Sequence, residues 1–355
     1  MTGYVRRVRV DGRCLYAKYS VLGVSLVSLL RGACGPWPDV RARQQAYVCR
    51  ADALMEREAT QLRLLAGFGC PQVCSVAGLR RGVLFTESVT GPTLAGLILD
   101  RPHETAALLD GTFGELRRLH SPDASRLLVP ATGERSVRGT FQRKFNGLRG
   151  SAYVDRLGVD RCLPDDRPVM VGLLRSVVGR LRRLQAAGLP SATQCVPVYG
   201  DLKPEHVVFP AGPPGRPVFL DPGLLPATPV VDAAKLISRT VLMLAAARPG
   251  LANGERAVDG VSAFVTARTG ALPRCIRQAW LQELMVLWLM DTVNILTTYL
   301  SAPPVLPLPA QGLALVGRTL DLCRVVEQIG AELSAGADAR TVWDISLDLA
   351  QGLAV

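Results

Sequence analysis

Two aspartates in the middle of the chain stand at the ends of short apolar runs. Asp201 lies in YGDLKPEHVVF (residues 199–209), and Asp221 lies in FLDPG (residues 219–223), twenty residues further along. The turn-rich connector PAGPPGR between them predicts two short neighbouring strands. Taken singly, each aspartate is best interpreted as a turn residue. Together they favour chemistry, because carboxylates at the mouths of adjacent strands can converge on one point.

Phosphoryl transfer is a reaction that uses two carboxylates in this way. One orients an acceptor hydroxyl and accepts its proton, and the other holds the magnesium ion that bridges the phosphates of a nucleotide. The spacing of the two aspartates therefore suits a phosphotransferase site.

Lysine is rare in this sequence. Of the 41 basic residues, 37 are arginine, and the lysines are Lys18, Lys144, Lys203 and Lys235. A lysine that is retained against such a bias indicates a position where arginine serves badly. Lys203 follows Asp201 by two residues, so it is either a functional residue or a solvent-facing turn residue.

Several motifs together resemble one family. YGDLKPEHVVF resembles the catalytic loop of the aminoglycoside phosphotransferase and choline kinase-like family, whose usual form is HGDxxxxNVL, and its LKPE is similar to the catalytic loop of protein kinases. FLDPG stands at the place of the metal-binding aspartate of that family, and PVVDAAKLISR resembles the segment after it, with Asp232 at the start of a helix. The resemblance covers most of residues 4–246 and implies a protein-kinase-like fold that binds ATP and Mg²⁺.

The resemblance also implies a nucleotide site in the first quarter of the chain. LYAKY is similar to the strand whose lysine holds the α- and β-phosphates, here Lys18, and EREATQLRLLAGFG is similar to the helix whose glutamate pairs with that lysine. Glu58 is the better match for this partner, and Glu56 is the alternative; the two point to different helix faces. LFTESVTGPTL resembles the hinge between lobes and places Glu87 beside the adenine.

The catalytic residues implied by the resemblance lie further along. Asp201 is expected to be the catalytic base, Asp221 the principal magnesium ligand, and Lys203 a mobile charge that reaches the transferring phosphate. His206 replaces the asparagine that helps to hold the metal in the family. A neutral imidazole can ligate a divalent ion, although magnesium prefers oxygen, so the replacement predicts an altered metal geometry.

Two further departures from the family concern backbone. Pro222 follows Asp221 where the family has an aromatic residue, and proline removes one backbone donor. Only seventeen residues precede Lys18, which leaves no room for the full glycine-rich loop that covers phosphates in such folds. We therefore expect a start site that lies too late, a shortened lobe that holds nucleotide differently, or a partner protein that completes the lobe.

Hydrophobic patterning predicts an α+β chain with two lobes. The first twenty residues indicate a hairpin that turns at Asp11 and Gly12, and residues 52–68 indicate a helix. Residues 78–89 indicate two short strands, and most of the chain after Asp232 is helical.

These elements predict a boundary between the lobes at residue 90. Residues 1–90 form the expected small β-rich lobe, and residues 91–355 form the expected helical lobe, with a hinge near residues 87–92. Within the large lobe, residues of about 130–168 are interpreted as a basic insertion that is irregular over 135–168.

Charge narrows the choice of acceptor. The formal net charge is +11, which disfavours a polycationic aminoglycoside and favours a hydroxyl on a neutral or anionic small molecule. A second hypothesis is a Ser/Thr kinase component of a lanthipeptide-type pathway, in which an acidic precursor peptide docks on residues 135–149 and a partner protein participates. A third is a binding module that keeps the fold without the reaction. Whether the donor is ATP or GTP, and the oligomeric state, stay open.

Other classes of function lack support in the sequence. Aromatic residues make up 5% of the chain and no nucleic-acid motif occurs, so we expect no nucleic-acid partner. The nine cysteines include no CxxC spacing and one CxxxC pair, Cys70 and Cys74, without a second pair to complete a zinc site, so they indicate a reduced, cytoplasmic protein. The apolar run at residues 278–300 contains Glu283 and Asp291, which predicts a buried helix and no membrane span.

Overall fold

Two tight hairpins build the sheet that carries Lys18. A computed structural model describes residues 3–129, 133–188 and 194–355, and in it β1 (Tyr4–Val10) and β2 (Arg13–Tyr19) form one hairpin, while β3 (Val76–Arg80) and β4 (Val83–Glu87) form the other. Each turn has two residues in the left-handed region, Asp11 and Gly12 in the first (φ of 48° and 78°). Such turns match the natural twist of paired strands. All pairings are antiparallel, in the order β1-β2-β4-β3.

Strand β1 is an edge strand of this sheet. It pairs with β2, most of its residues are exposed, and it carries Arg6, Arg7 and Arg9. Strand β2 is central, and Leu15 and Lys18 are its buried side chains.

Helix α3 (Leu54–Phe68) packs beneath the sheet. Met55, Ala59 and Leu62 follow the helical spacing of three and four residues and enter a cluster with Leu84 of β4. The helix ends at Gly69, whose φ of 77° satisfies the left-handed cap position. Two helices, α1 (Leu26–Leu30) and α2 (Trp37–Tyr47), connect β2 to α3.

The remainder of the chain is mainly helical. Its helices are α4 (Leu94–Asp100), α5 (Thr105–Gly114), α6 (Val137–Phe145), α7 (Gly147–Asp155), α8 (Asp166–Ala186), α9 (Val230–Ala247), α10 (Leu251–Thr269), α11 (Arg274–Leu300), α12 (Ala310–Gly317), α13 (Thr319–Ser334) and α14 (Ala339–Leu353). Four short strands lie among them: β5 (Val196–Val198) pairs with β8 (Leu225–Ala227), and β6 (Val207–Val208) pairs with β7 (Val218–Phe219). The α+β arrangement predicted from the sequence is confirmed.

Helices α9 and α11 form the centre of the large core. Helix α9 has fifteen buried residues and α11 has seventeen, and the two helices pack against each other. Glu283 and Asp291 lie inside this core with 3% exposure each, so both need charged partners. Within the described residues, no helix is both long enough and apolar enough to cross a membrane.

The prediction of an irregular segment over residues 135–168 is wrong. Helices α6 and α7 occupy much of it, and α6 packs on α11. Phe141 and Phe145, four residues apart on one face of α6, are 0% and 2% exposed. The many basic residues around them obscure this apolar face in the sequence. Residues 130–132, at the start of the predicted insertion, lie outside the described residues.

Candidate active site

The loop that carries Asp201 is fixed from below by another carboxylate. Asp232, in the first turn of α9, is fully buried and accepts hydrogen bonds from the backbone N–H groups of Tyr199 (2.8 Å) and Gly200 (2.6 Å). His120 Nε2 lies 2.8 Å from Asp232 Oδ2. Because a buried carboxylate is costly unless its oxygens are satisfied, these contacts fix the loop and Asp232 together.

Glycine brings the two aspartate loops into backbone contact. Gly200 has a φ of 78°, and a β-carbon at this position would lie 2.1 Å from the carbonyl oxygen of Gly223. The N–H of Gly223 donates to Tyr199 O at 2.9 Å, and the hydroxyl of Tyr199 donates to Leu220 O at 2.8 Å. The segments that bear Asp201 and Asp221 are therefore neighbours.

A lysine contacts each oxygen of Asp201. Lys203 Nζ lies 2.6 Å from Oδ2, and Lys235 Nζ lies 2.7 Å from Oδ1. Burial alone would raise the pKa of Asp201, but the charges of Lys203, Lys235 and Arg239 outweigh it and hold that pKa well below its usual value. Asp201 is therefore ionised across the neutral pH range.

Lys235 also connects Asp201 to the helical core. Its Nζ lies 3.2 Å from Oδ1 of Asp291 on α11, and Arg239 Nε donates to Oδ2 of the same residue at 2.7 Å. Burial would raise the pKa of Asp291, yet the charges of Arg239 and Lys235 lower it to about 2. Ser238 donates a further hydrogen bond to Asp291 at 3.0 Å. These residues form one continuous ionic network from α11 to Asp201.

Lys18 lies between two carboxylates. Its Nζ is 2.7 Å from Oε1 of Glu58 and forms an ion pair with Oδ1 of Asp221. Burial would lower the pKa of Lys18, but the two negative charges outweigh burial and raise that pKa. Burial raises the pKa of Glu58 to about 7 in spite of the nearby Lys18. Glu58, and not the alternative Glu56, is the helix residue that contacts Lys18.

The second oxygen of Asp221 faces His206. His206 Nδ1 lies 3.4 Å from Asp221 Oδ2, and this nitrogen is buried without a hydrogen-bond partner. Burial, followed by the charge of Lys203, lowers the pKa of His206, so the ring is neutral and has a lone pair to offer. Within the described residues, no group of three or more His, Cys, Asp and Glu side chains forms a metal site.

A carboxylate and an unpartnered imidazole nitrogen nevertheless fit a nucleotide-bound magnesium ion. Magnesium bound with nucleotide takes one or two protein ligands and completes its shell with phosphate oxygens and water. Asp221 and His206 are the residues that would hold it.

Glu87 lies at the end of β4, away from the lysine cluster. It pairs with Leu15 across the sheet, its side chain forms an ion pair with Arg13, and its backbone N–H donates to Ser75 O at 2.9 Å. Its place beside the adenine stays a prediction. The segment that follows is joined to the catalytic loop, because Phe209 N–H donates to Pro92 O at 2.9 Å.

Sequence reasoning assigned no role to Lys235, Asp291 or Arg239. The rarity of lysine was the signal that could have found the first of these, since three of the four lysines contact Asp201 or Asp221. Nothing in the local sequence marks Asp291, which lies 56 residues from Lys235 along the chain.

Comparison with known proteins bears on the fold. No protein-family model matches the sequence, and no curated protein matches it. Among solved structures, a microcompartment-associated aminopropanol kinase is similar over 94% of each chain, with 15% identity and a TM-score of 0.53. The chain has a protein-kinase-like fold. The fold that the motifs implied is thereby confirmed.

Two other solved structures are similar at lower scores. An amicoumacin kinase, solved with AMP-PNP, Ca²⁺ and Ami, is 12% identical over 95% of this chain and 86% of its own, with a TM-score of 0.48. A type VIII aminoglycoside-3'-phosphotransferase is 21% identical over 81% of this chain and 88% of its own, with a TM-score of 0.45.

Proposed function

We propose that this protein is a kinase-like phosphotransferase that moves the γ-phosphoryl group of ATP, with Mg²⁺, to a hydroxyl of a neutral or anionic small molecule. One observation carries the proposal: Asp201 and Asp221 lie on loops in backbone contact, and Lys18, Lys203 and Lys235 contact them. The aminopropanol kinase that shares the fold is named for a small molecule that bears a hydroxyl and an amine, which supports a small-molecule hydroxyl as the acceptor. The preference for a neutral or anionic molecule rests on the net charge of +11.

The nucleotide end of the site would be built around Lys18. We assign Lys18 to the α- and β-phosphates, with Glu58 holding its ammonium in place, and Asp221 with His206 to the metal. Magnesium held there with the nucleotide would supply positive charge that neutralises the phosphates. The contact between Lys18 and Asp221 gives way when phosphates arrive, because both groups then face the nucleotide.

The acceptor end of the site would be built around Asp201. The acceptor oxygen forms a bond to the γ-phosphorus, the bond from that phosphorus to ADP breaks, and the hydroxyl proton passes to Asp201. A carboxylate with so low a pKa is a weak base. It therefore acts mainly by orienting the hydroxyl and takes the proton late, which is sufficient for a loose phosphoryl transition state. We assign Lys203 to the transferred phosphoryl group.

The first experiment is nucleotide binding, measured by calorimetry with and without magnesium. We expect magnesium-dependent binding of ATP that is lost in Lys18→Ala. Asp221→Ala should lose the magnesium-dependent part, whereas Asp201→Ala should bind nucleotide normally and fail to turn over. Normal turnover by both aspartate variants would refute the residue assignment, and absence of nucleotide binding would favour the hypothesis of a non-catalytic binding module.

The peptide hypothesis has weaker support than the small-molecule one. The proposed dock at residues 135–149 is only partly available, because Arg138 forms an ion pair with the buried Glu283 at 2.8 Å. Lys144 donates to Asn294 O and Thr298 Oγ1, each at 2.8 Å, inside the α6–α11 contact. Arg135, Arg143 and Arg149 remain as its exposed basic residues.

A further inference from the structure

A basic groove opens beside the candidate active site. Its volume is about 830 Å³, and its walls come from two parts of the chain: the segment that contains α2 and the start of α3, and the segment that runs from residue 133 into α6. None of the residues assigned to nucleotide, metal or base lines it.

The groove adjoins the catalytic carboxylate through Gly223. A β-carbon on Gly223 would lie 3.2 Å from Asp201 Cβ and 3.5 Å from Glu134 Cγ, so both side chains lie beside the α-carbon of Gly223. Glu134, a lining residue of the groove, also donates its backbone N–H to Leu224 O at 2.8 Å. A molecule that binds beside Glu134 would therefore lie close to the loop that carries Asp201.

Positive charge exceeds negative charge in the groove. The lining includes five arginines and two carboxylates, and the carboxylates are already engaged: Asp52 with Arg50 at 2.6 Å and Glu134 with Arg57 at 2.6 Å. Three arginines are left over, and one of them, Arg43, donates to the backbone carbonyls of Cys34 and Asp39.

The other two arginines, Arg135 and Arg143, line the groove without a salt bridge to a described residue. Arg135 and Arg143 form no ion pair with any carboxylate among residues 3–129, 133–188 and 194–355. Partial burial, and then the charge of Arg135, lowers the pKa of Arg143, while Glu134 opposes the shift. Two guanidinium groups in one groove repel each other, and an anion bound in that groove would offset the repulsion.

We propose that Arg135 and Arg143 bind an anionic group, a carboxylate or a phosphate, on the hydroxyl-bearing small molecule that accepts the phosphoryl group. This inference rests on the proposed function and specifies its substrate. Arginine binds carboxylate and phosphate through paired N–H groups, which fixes the orientation of the ligand as well as its charge. A cationic acceptor would meet three uncompensated positive charges in the same groove.

The test uses four small molecules that share one diol: glycerol 3-phosphate, glycerate, glycerol and 3-amino-1,2-propanediol. Each is titrated into the full chain in the presence of AMP-PNP and Mg²⁺, so that no anion can enter the nucleotide site. We expect the two anions to bind more tightly than glycerol and the amine to bind least. Equal binding of all four molecules, tighter binding of the amine, or no binding of either anion would overturn the proposal.

Paired variants locate the site. The double variant Arg135→Gln, Arg143→Gln should bind glycerol 3-phosphate at least tenfold more weakly than the parent chain, because it loses one or more charge-assisted contacts. The control, Arg182→Gln with Arg183→Gln on the exposed face of α8, removes the same charge and should leave binding unchanged. Equal weakening by both pairs would show a general charge effect and overturn the assignment.

The same titration separates this inference from the proposed function. If AMP-PNP does not bind, the proposed function fails, but glycerol 3-phosphate titrated alone still reports whether its binding depends on Arg135 and Arg143. An octaglutamate peptide tests whether the groove binds an acidic peptide instead of a small molecule. Binding of that peptide tenfold tighter than glycerol 3-phosphate, lost in the same double variant, would assign the groove to a peptide and overturn the small-molecule assignment.

Discussion

The ammonium of Lys235 lies 2.7 Å from Oδ1 of Asp201 and 3.2 Å from Oδ1 of Asp291. One buried lysine on α9 thus joins the proposed catalytic base to a carboxylate in the middle of α11. The contact fixes one oxygen of Asp201 and leaves the other to Lys203. Lys235 is in this sense a positioning residue, and its effect should be measurable without any change in nucleotide binding.

Replacing Lys235 by methionine should impair turnover in a pH-dependent way. Lys235 is one of the cations that lower the pKa of Asp201, so its loss raises that pKa. As the pH falls, Asp201 of the variant therefore becomes protonated, and the variant loses activity, at a higher pH than the parent chain. We expect turnover to fall about 100-fold, the order expected for a misplaced reacting group. Nucleotide affinity should be unchanged, and Lys235→Arg should restore part of the rate. An unchanged acid limb of the pH profile would contradict the positioning role.

Glu58 and Glu56 offer a matched comparison within one helix. Above a pH of about 7, where Glu58 is ionised, Glu58→Gln removes the negative charge beside Lys18, so we expect ATP affinity to weaken about tenfold there, the value of one charge-assisted contact. Glu56→Gln removes the same charge two residues away and should leave affinity unchanged. Calorimetric titration of both variants with ATP and Mg²⁺ checks this, and equal losses would show that Lys18 does not depend on Glu58.

The contact between Gly200 and Gly223 should make alanine intolerable at residue 200. A β-carbon there meets a backbone oxygen at 2.1 Å, whereas at Gly212, which has a similar φ of 68°, a β-carbon meets no atom within 4 Å. Gly200→Ala should therefore lower the free energy of unfolding by about 3 kcal/mol or more, from strain and clash together. Gly212→Ala should lower it by only about 1 kcal/mol, from strain alone. Denaturant unfolding compares the two, and similar losses would refute the close backbone contact.

Asp291 should be essential to stability, because Lys235 and Arg239 would otherwise be buried without a counter-charge. Asp291→Asn should lower the free energy of unfolding by about 3–5 kcal/mol at pH 7, the usual cost of breaking a buried ion pair. Circular dichroism during urea unfolding measures it. Arg324→Gln, which alters an exposed ion pair, is the control and should change stability by less than about 1 kcal/mol.

The same carboxylate predicts how stability depends on pH. The pKa of Asp291 is about 2 in the folded chain and about 3.9 in an unfolded chain. The stabilisation that ionised Asp291 gives the folded chain is therefore complete above a pH of about 3.9, and it is lost as the pH falls towards 2. As the pH falls from 5 to 2, the free energy of unfolding of the parent chain should therefore fall by about 2–3 kcal/mol more than that of Asp291→Asn. Parallel pH dependences would contradict the low pKa.

Local patterns were sufficient to predict several parts of the fold. The alternation of YVRRVRV and the Asp11-Gly12 pair specify the first hairpin, and the apolar spacing within residues 52–68 specifies α3. Motif order was sufficient to nominate Lys18 and Asp221, which the structure brings into contact. In these cases the information lies within one element or in the spacing of a motif.

Other features depend on contacts between distant parts of the chain. Helix α6 is basic in composition, and its apolar face becomes evident only because α11 covers Phe141 and Phe145. Asp291 lies in an apolar run, and the sequence around it does not contain its partners Lys235 and Arg239, which α9 supplies. Periodicity describes one element at a time, so it cannot predict such pairings.

Strand β1 has a consequence for how copies of the protein meet. The backbone N–H and C=O groups on the outer side of an edge strand can pair with another strand, so two edge strands that pair join two sheets into one. Here the approach would bring Arg6, Arg7 and Arg9 of one copy against those of another. Dissolved salt shortens the reach of this repulsion from about 10 Å at 0.1 M to about 3 Å at 1 M. Ionic strength, with no change in folding, should therefore control self-association through this strand.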